Sequence, residues 1–387
     1  MSADTTTTTS TSKGLEGVVI AQTQKSKVQG DIGKLQYHGY NIFDIAENAS
    51  YEEVVYLLWY EVLPTRAELE AFKVRLAAER ALPPEILDMM KMIPYQAHPM
   101  AVLRTIVSAL GLYDDTADDT SAEALKVKAR KLIASMPTIV AAWERIRNGK
   151  SPVDPRDDLD HSANFLYMMK GEMPTDTQVD AVDTYLILLA DHGMNASTFS
   201  ARVTTSTLAD IYSAVTTAIG TLKGAAHGGA NQRAMEQFQE IGDPDNVDAW
   251  FEQARAEGRR IMGIGHRVYK VEDPRAKILR ERARALSEQD EEGRKWFEIA
   301  RRLEERARSD PYFIERNLYA NVDYYSAIIL QQVGIPVDQF TALFAMSRIA
   351  GWAGHIMEQW ADNRLIRPRG EYIGPVDQPW VPIDERG

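Results

Sequence analysis

The sequence predicts an all-α protein carrying one small N-terminal β-hairpin. Three observations point to it. Helical apolar periodicity recurs in segment after segment from about residue 50 onward. Helix start signals precede most of those segments. Period-2 alternation occurs in only one place, flanking the Gly30–Gly33 turn region in "VVIAQTQKSKVQGDIGKLQYHGY".

Taken in order, residues 1–13 open with "MSADTTTTTSTS", a low-complexity stretch that reads as a disordered tail. The hairpin follows. Ser50 opens "YEEVVYLLWYEV" with Glu53 placed for a capping box, and Thr65 opens "RAELEAFKVRLAAERA". Pro83 and Pro84 start the next helix, and "PMAVLRTIVSALGLY" follows it. A long helix, "SAEALKVKARKLIASMPTIVAAWERIRNG", is expected to kink near Pro137. "TDTQVDAVDTYLILLADHG" is apolar round most of its end, as a core helix is. "TLADIYSAVTTAIGTLKG" stops at Gly224.

The character then changes. From 223 to 328 the chain is rich in Arg and Glu, as in "RAKILRERARALSEQDEEGRKWFEIARRLEERARSD", which reads as solvated amphipathic helices. The division expected is a large helical domain, 14–222 plus 329–387, and a small mobile one, 223–328. The chain returns through "NVDYYSAIILQQVG". A length of 387 residues suits one large or two domains.

A net charge of −12 argues against nucleic-acid or anionic-membrane partners, and no apolar run approaches the ~20 residues of a membrane span. The absence of cysteine removes disulfides and thiolate chemistry and fits a cytoplasmic location. None of the seven histidines shows metal-ligand spacing, so no metal is expected.

Three histidines share one setting. His192, His227 and His266 each sit beside glycine at the apparent end of a helix. Small residues on both sides of His227, in "LKGAAHGGANQRAM", leave room for something to approach the imidazole. Any one of the three alone reads as a capping or core histidine; three alike point to a site. Asp323 begins an apolar helix, where it is a candidate base or a plain partner of the helix dipole. Arg348 lies in a nearly continuous apolar run and must either pair with a buried carboxylate or bind something anionic. Arg275 and Arg367, taken alone, read as surface charges, and Glu358 with His355 as a structural pair. The G-x-G of "MGIGHR" is a weak nucleotide signal without a preceding strand. Arginine forks suit a small dianionic substrate, neutral histidines can donate to a carbonyl, and a carboxylate can then remove a carbon-bound proton. That set fits carbon–carbon bond formation better than a serine-triad hydrolysis.

"LADHGMNASTFSAR", "GAAHGGANQ", "GIGHRVYKVEDPR", "NVDYYSAIIL" and "RIAGWAGHIMEQWADNRLIRPR" occur in the order seen in the citrate synthase family, which the chain resembles from about Gly14 to its end, in the short prokaryotic form. The resemblance implies a two-domain helical homodimer that closes over oxaloacetate and acetyl-CoA, with no cofactor. It implies Asp323 as the base and His227 as donor to the thioester oxygen. His266 would be donor to the oxaloacetate ketone. His192, Arg275 and Arg348 would hold oxaloacetate, joined by Arg367 from the partner subunit. Met262, Gly263, Ile264 and Gly265 would meet the CoA adenine. Arg259, Arg260 and Arg369 are candidates for the CoA phosphates. His38, His98 and His161 remain structural. The rivals are a 2-methylcitrate-forming member that uses propionyl-CoA and, remotely, a non-catalytic helical interaction protein.

Overall fold

Strands β1 (Ser26–Gln29) and β2 (Lys34–Tyr37) flank the Gly30–Gly33 turn and pair antiparallel, with Ser26 opposite Tyr37. A two-residue strand β3 (Tyr40–Asn41), not foreseen, extends the sheet from β2. The computed structural model describes residues 13–386. The predicted tail lies outside the described residues except for Lys13, which opens a short 3-10 turn, Lys13–Leu15.

The rest is helical: α1 (Ile42–Asn48), α2 (Tyr51–Tyr60), α3 (Arg66–Ala78), α4 (Pro84–Lys91), α5 (Pro99–Leu110), α6 (Ala122–Arg147), α7 (His161–Lys170), α8 (Asp176–Leu189) and α9 (Ala196–Ser206). There follow α10 (Ile211–Leu222), α11 (Ala230–Ile241), α12 (Val247–Ala256), α13 (Pro274–Ser287), α14 (Glu291–Ser309), α15 (Pro311–Glu315), α16 (Val322–Gln332) and α17 (Phe340–Ala361).

The start signals act as read. Ser50 with Glu53, and Thr65 with Glu68, form reciprocal capping boxes, each satisfying two orphan N–H groups at a helix start. Helix α6 runs unbroken across Pro137. Two helices organise the packing. The nearly all-buried α17 is surrounded by α2, α5, α6, α8, α9 and α10, because its apolar residues cover its whole circumference. The shorter α16 receives α11, α13 and α14, and α12 and α15 lie against α14. The Arg/Glu-rich segment thus packs along α16, from Tyr324, whose hydroxyl donates to the Ala300 carbonyl, to Gln332, whose amide donates to the Gly293 carbonyl. Exposed faces of α14 carry ion pairs such as Arg301–Glu298 and Arg302–Glu298. No helix among the described residues is long and apolar enough to cross a membrane.

Candidate active site

His192, His227 and His266 sit between helices, Asp323 and Arg275 in the first turns of α16 and α13, and Arg348 in the middle of α17. The chain leaves α8 through Asp191, His192 and Gly193, the last in the left-handed region at φ 58°. Gly351 of α17 makes this turn possible. A Cβ there would fall 2.4 Å from Asp191 Oδ1 and 2.5 Å from the Ala190 carbonyl, so only glycine lets α17 cross so closely. Asp191 is fully buried. It accepts from the Ser26 hydroxyl and faces His355 Nε2 at 3.3 Å. Burial works against its charge, yet His355 and Arg348 hold its carboxyl below the usual range. His355 also approaches Glu358 at 3.5 Å, the structural pair expected, and Arg202 joins the cluster at 3.1 Å from Glu358.

His227 lies in the turn between α10 and α11. Gly228 donates its N–H to the Leu222 carbonyl at 3.0 Å, and a Cβ on it would come within 2.4 Å of that oxygen. One of the small residues beside His227 therefore has a packing reason, folding the turn onto the end of α10. Gly224, Ala225 and Ala226 are exposed and leave that side of the turn open. His227 Nε2 accepts from the Ser197 N–H at 3.2 Å and lies 2.8 Å from the Ser197 hydroxyl. A ring nitrogen that accepts an N–H bears no proton, so the neutral ring carries its hydrogen on Nδ1, which has no partner among the described residues. Burial, aided by Arg348, pushes the imidazole down to about 4.

His266 was expected at a helix end. It lies instead within the long connection between α12 and α13, because the helical pattern has already stopped at Ala256. Its Nδ1 accepts from the N–H groups of Val268 at 3.0 Å and Tyr269 at 3.1 Å. The tautomer is the opposite one: Nε2 holds the proton. Burial and Arg275 bring this ring also down to about 4. His192 Nε2 lies 3.2 Å from the Tyr269 hydroxyl, and the rings of His192 and His266 are 5.6 Å apart. Burial and Arg275 hold His192 well below the ordinary histidine range.

Asn321 caps α16, accepting from the Asp323 N–H at 2.9 Å. Its amide also donates to the Gly265 carbonyl at 2.8 Å, and Gly263 accepts from the Asn321 N–H at 2.9 Å. The stretch Met262–Gly265 is thereby pinned to the start of α16. Gly263 must be glycine, with φ 77° and a Cβ position 2.9 Å from the Tyr324 Cα. The Asp323 carboxylate makes no hydrogen bond among the described residues. Burial, only partly offset by Arg275 and Arg348, pushes it up to about 6. A dipole partner would be lowered at a helix start, so the purely structural reading of Asp323 does not account for it.

Among the described residues Arg348 has no carboxylate partner within ion-pair distance. Its Nε donates to the Leu189 carbonyl at 2.6 Å and its guanidinium lies 4.7 Å from the Phe344 ring centroid. Its two terminal nitrogens make no hydrogen bond among the described residues. Arg275 is buried rather than a surface charge. Asp273 holds its Nε at 3.0 Å and Nη2 at 2.8 Å, leaving Nη1 free. Arg367 is exposed. Its neighbour Ile366 donates to Ser206 Oγ at 3.0 Å, at the far end of α9, roughly 14 Å along the helix from Ser197. The chain's own Arg367 is thus not brought to these histidines. Ser197, Tyr269, Asp273 and Ser26 were missed by sequence reasoning. Tyr269 and Asp273 stand within the quoted "GHRVYKVEDPR" and were signalled only by that proximity.

Among the described residues the arrangement offers two preoriented neutral N–H donors, two arginines with nitrogens that make no hydrogen bond, and a carboxylate of raised pKa without a hydrogen-bond partner. A polar cavity of about 610 Å³, lined by residues such as Glu53, Arg66 and Asp183, contains none of them. Among the described residues no cluster of three or more His, Asp or Glu could hold a metal.

Residues 14–369 match the family model described as "Citrate synthase, C-terminal domain". The chain belongs to the citrate synthase family. It is 48% identical over 379 residues to a citrate synthase of Haloferax volcanii, covering 97% of this chain and 98% of that one. It superposes with a TM-score of 0.92, at 37% identity, on the citrate synthase of Thermoplasma acidophilum. That enzyme was solved as a ternary complex with carboxymethyl coenzyme A and oxaloacetate, and the match covers 97% and 99% of the two chains. A 2-methylcitrate synthase of Mycobacterium tuberculosis is 43% identical over 364 residues, covering 94% and 90%. The short prokaryotic form and the helical citrate-synthase fold with its N-terminal hairpin are those of this family.

Proposed function

We propose that this chain is a citrate synthase. It condenses acetyl-CoA with oxaloacetate and hydrolyses the citryl-CoA formed, at the entry to the tricarboxylic acid cycle. The observation that carries the site assignment is the Asp323 carboxylate, raised to about 6 and without a hydrogen bond among the described residues, in the field of the same Arg275 and Arg348 that act on neutral imidazoles whose tautomers are fixed by the backbone. The identity of the relatives supports the substrates.

Asp323 Oδ takes a proton from the acetyl methyl group. A thioester α-proton is far less acidic than a carboxylic acid, so proton transfer needs the oxygen stabilised as charge develops. His227 Nδ1–H supplies that hydrogen bond. The enol carbon attacks the oxaloacetate ketone, whose oxygen meets His266 Nε2–H and gains a proton as the new C–C bond forms. Arg348 and Arg275, together with His192, hold the oxaloacetate carboxylates. Water then cleaves the thioester and releases CoA. Neutral histidines suit these tasks: protonated rings would add charge beside the arginines, and burial there disfavours it.

In the same reading residues 223–328 form a small domain that closes on the large one, 14–222 plus 329–387, and excludes water. Arg367 reaches the neighbouring subunit's site, which makes the homodimer the active unit. Met262–Gly265 receives the CoA adenine, and the enzyme works in the cytoplasm. A second reading, condensation of propionyl-CoA to 2-methylcitrate, draws on the Mycobacterium tuberculosis relative.

The deciding experiment adds oxaloacetate and acetyl-CoA to the purified chain and follows the CoA thiol. Catalytic release is expected. No thiol release, together with no thermal stabilisation by oxaloacetate, would return the chain to a non-catalytic role.

A further inference from the structure

The N-terminal hairpin touches both loops that carry the oxaloacetate histidines. At its base, Tyr37 is fully buried, and its hydroxyl lies 3.0 Å from the carbonyls of Ile187 and Asp191. Ser26, opposite Tyr37 in the register, donates to Asp191 and accepts from the Gly193 N–H at 2.8 Å. These two bonds bracket His192. At the tip, the Gly30 carbonyl accepts from the Lys270 N–H at 3.1 Å. A Cβ on Gly30 would fall 2.2 Å from the Val268 carbonyl oxygen, which is backbone and cannot rotate away. Gly33, at φ 61°, places its missing Cβ 2.9 Å from Val271 Cγ2 and 3.0 Å from the Glu272 carbonyl. Val268 is one of the two residues whose N–H groups hold His266 Nδ1. Strand β1 is four residues long, about 13 Å, so one rigid extended segment spans from the His192 turn to the His266 loop.

We infer that the hairpin is a positioning strap for the oxaloacetate site: Ser26 sets the turn of His192, and the glycine tip at Gly30 sets the loop of His266. Nothing larger than glycine fits at residue 30 without moving the Val268 peptide, and moving that peptide re-aims the imidazole. This inference deepens the proposed function and rests on it, since it treats these histidines as ligands of oxaloacetate. The strap touches no substrate. It acts through the two rings, where a displacement of about 1 Å typically costs ~10²-fold in rate.

The test compares full-length wild type with Gly30→Ala, Ser26→Ala and Ile32→Ala, whose side chain on the same turn is 65% exposed. Two readouts are taken: steady-state kinetics of CoA release, and the thermal shift produced by oxaloacetate alone. Absence of wild-type turnover fails the functional reading, while the thermal shift still judges the strap. Gly30→Ala is expected to lower kcat/KM for oxaloacetate ~10–100-fold, with KM raised, the oxaloacetate shift diminished and the ligand-free melting point near wild type. Ser26→Ala is expected to raise the oxaloacetate KM more mildly, and Ile32→Ala to leave both readouts unchanged. Gly30→Ala values within about twofold of wild type would overturn the inference, as would a fall in kcat with oxaloacetate KM and thermal shift unaltered, which is what simple loss of folded enzyme gives. Should Gly30→Ala not fold, an unchanged oxaloacetate KM and shift in Ser26→Ala overturns it instead.

Discussion

The Ser197 backbone N–H points at His227 Nε2 from 3.2 Å, and the Ser197 hydroxyl lies 2.8 Å from the same atom. Trp352 Nε1 donates to that hydroxyl at 3.1 Å, so it is held from both sides. Ser197 belongs to the first turn of α9, which Asn195 caps, and the position of His227 is thus tied to a helix terminus. Ser197→Ala removes the hydroxyl and keeps the N–H. The tautomer should survive while the ring loosens. A fall of about tenfold in kcat is expected, well short of the ~10²–10³ typical of deleting a transition-state donor, which is the expectation for His227→Ala. Stopped-flow or steady-state rates on both variants check the order; equal losses would mean the hydroxyl alone fixes the ring.

The acid limb of the rate profile should report Asp323. The base must be ionised, and burial places its pKa at about 6, whereas His227 and His266 lie near 4 and stay neutral well below that. Activity at low substrate should fall as pH drops through about 6. Asp323→Asn should lower kcat by about 10²–10⁴. A limb that persists in Ser197→Ala but moves in Arg275→Gln would identify the carboxylate, since Arg275 is the cation that most opposes the shift.

The same carboxylate should cost stability. Its folded pKa is raised above the ordinary 3.8, so the native state holds the proton more tightly than the unfolded chain. Its favourable contribution is full below about pH 4 and is lost as pH rises through about 6. Asp323→Asn is therefore expected to melt above wild type at pH 7–8, with the gap closing toward pH 4. Calorimetry across that range reads it, and a variant less stable at pH 8 would mean the carboxylate has a stabilising partner.

Much of this was legible beforehand, for identifiable reasons. Capping boxes at Ser50 and Thr65 and the hairpin at Gly30–Gly33 are local rules, so a short window contains them. Glycine beside three histidines gave away the turns, because tight turns and close approaches need it. What stayed hidden was tertiary. Ser197 acts on a residue 30 positions away, Ser26 on one 165 away, and no spacing rule links them. His266 was misplaced at a helix end because a glycine looks alike after a helix and within a loop. Arg275 looked like a surface charge because its partner, Asp273, is two residues away and is itself an ordinary N-cap.

Mixed dimers should test Arg367. The arm beyond α17 leaves side chains such as Ile373 and Trp380 largely exposed, 92% and 85%, on this single chain. If Arg367 completes the neighbouring site, a dimer of Asp323→Asn with Arg367→Ala has one intact site and one doubly defective site. Random mixing of the two inactive proteins should then restore about a quarter of wild-type activity. No recovery after verified subunit exchange would place Arg367 outside the site.

If the proposed site roles hold, acyl choice is expected to depend on Phe344. Its ring lies 6.5 Å from the His227 ring and 4.7 Å from the Arg348 guanidinium, near the residues proposed to meet the thioester and a carboxylate. Phe344 is 6% exposed, so its ring is a wall and not a flap. A propionyl group carries one more methylene than acetyl, and a wall of this kind discriminates by only ~1–3 kcal/mol, or ~10–200-fold. Acetyl-CoA is expected to be the better substrate by a factor in that range. Phe344→Leu shortens the wall and should narrow the ratio of kcat/KM values for acetyl-CoA over propionyl-CoA, chiefly by improving the larger substrate. A ratio unchanged in the variant would put the discriminating contact elsewhere around Asp323, and a wild-type ratio favouring propionyl-CoA would make 2-methylcitrate the product.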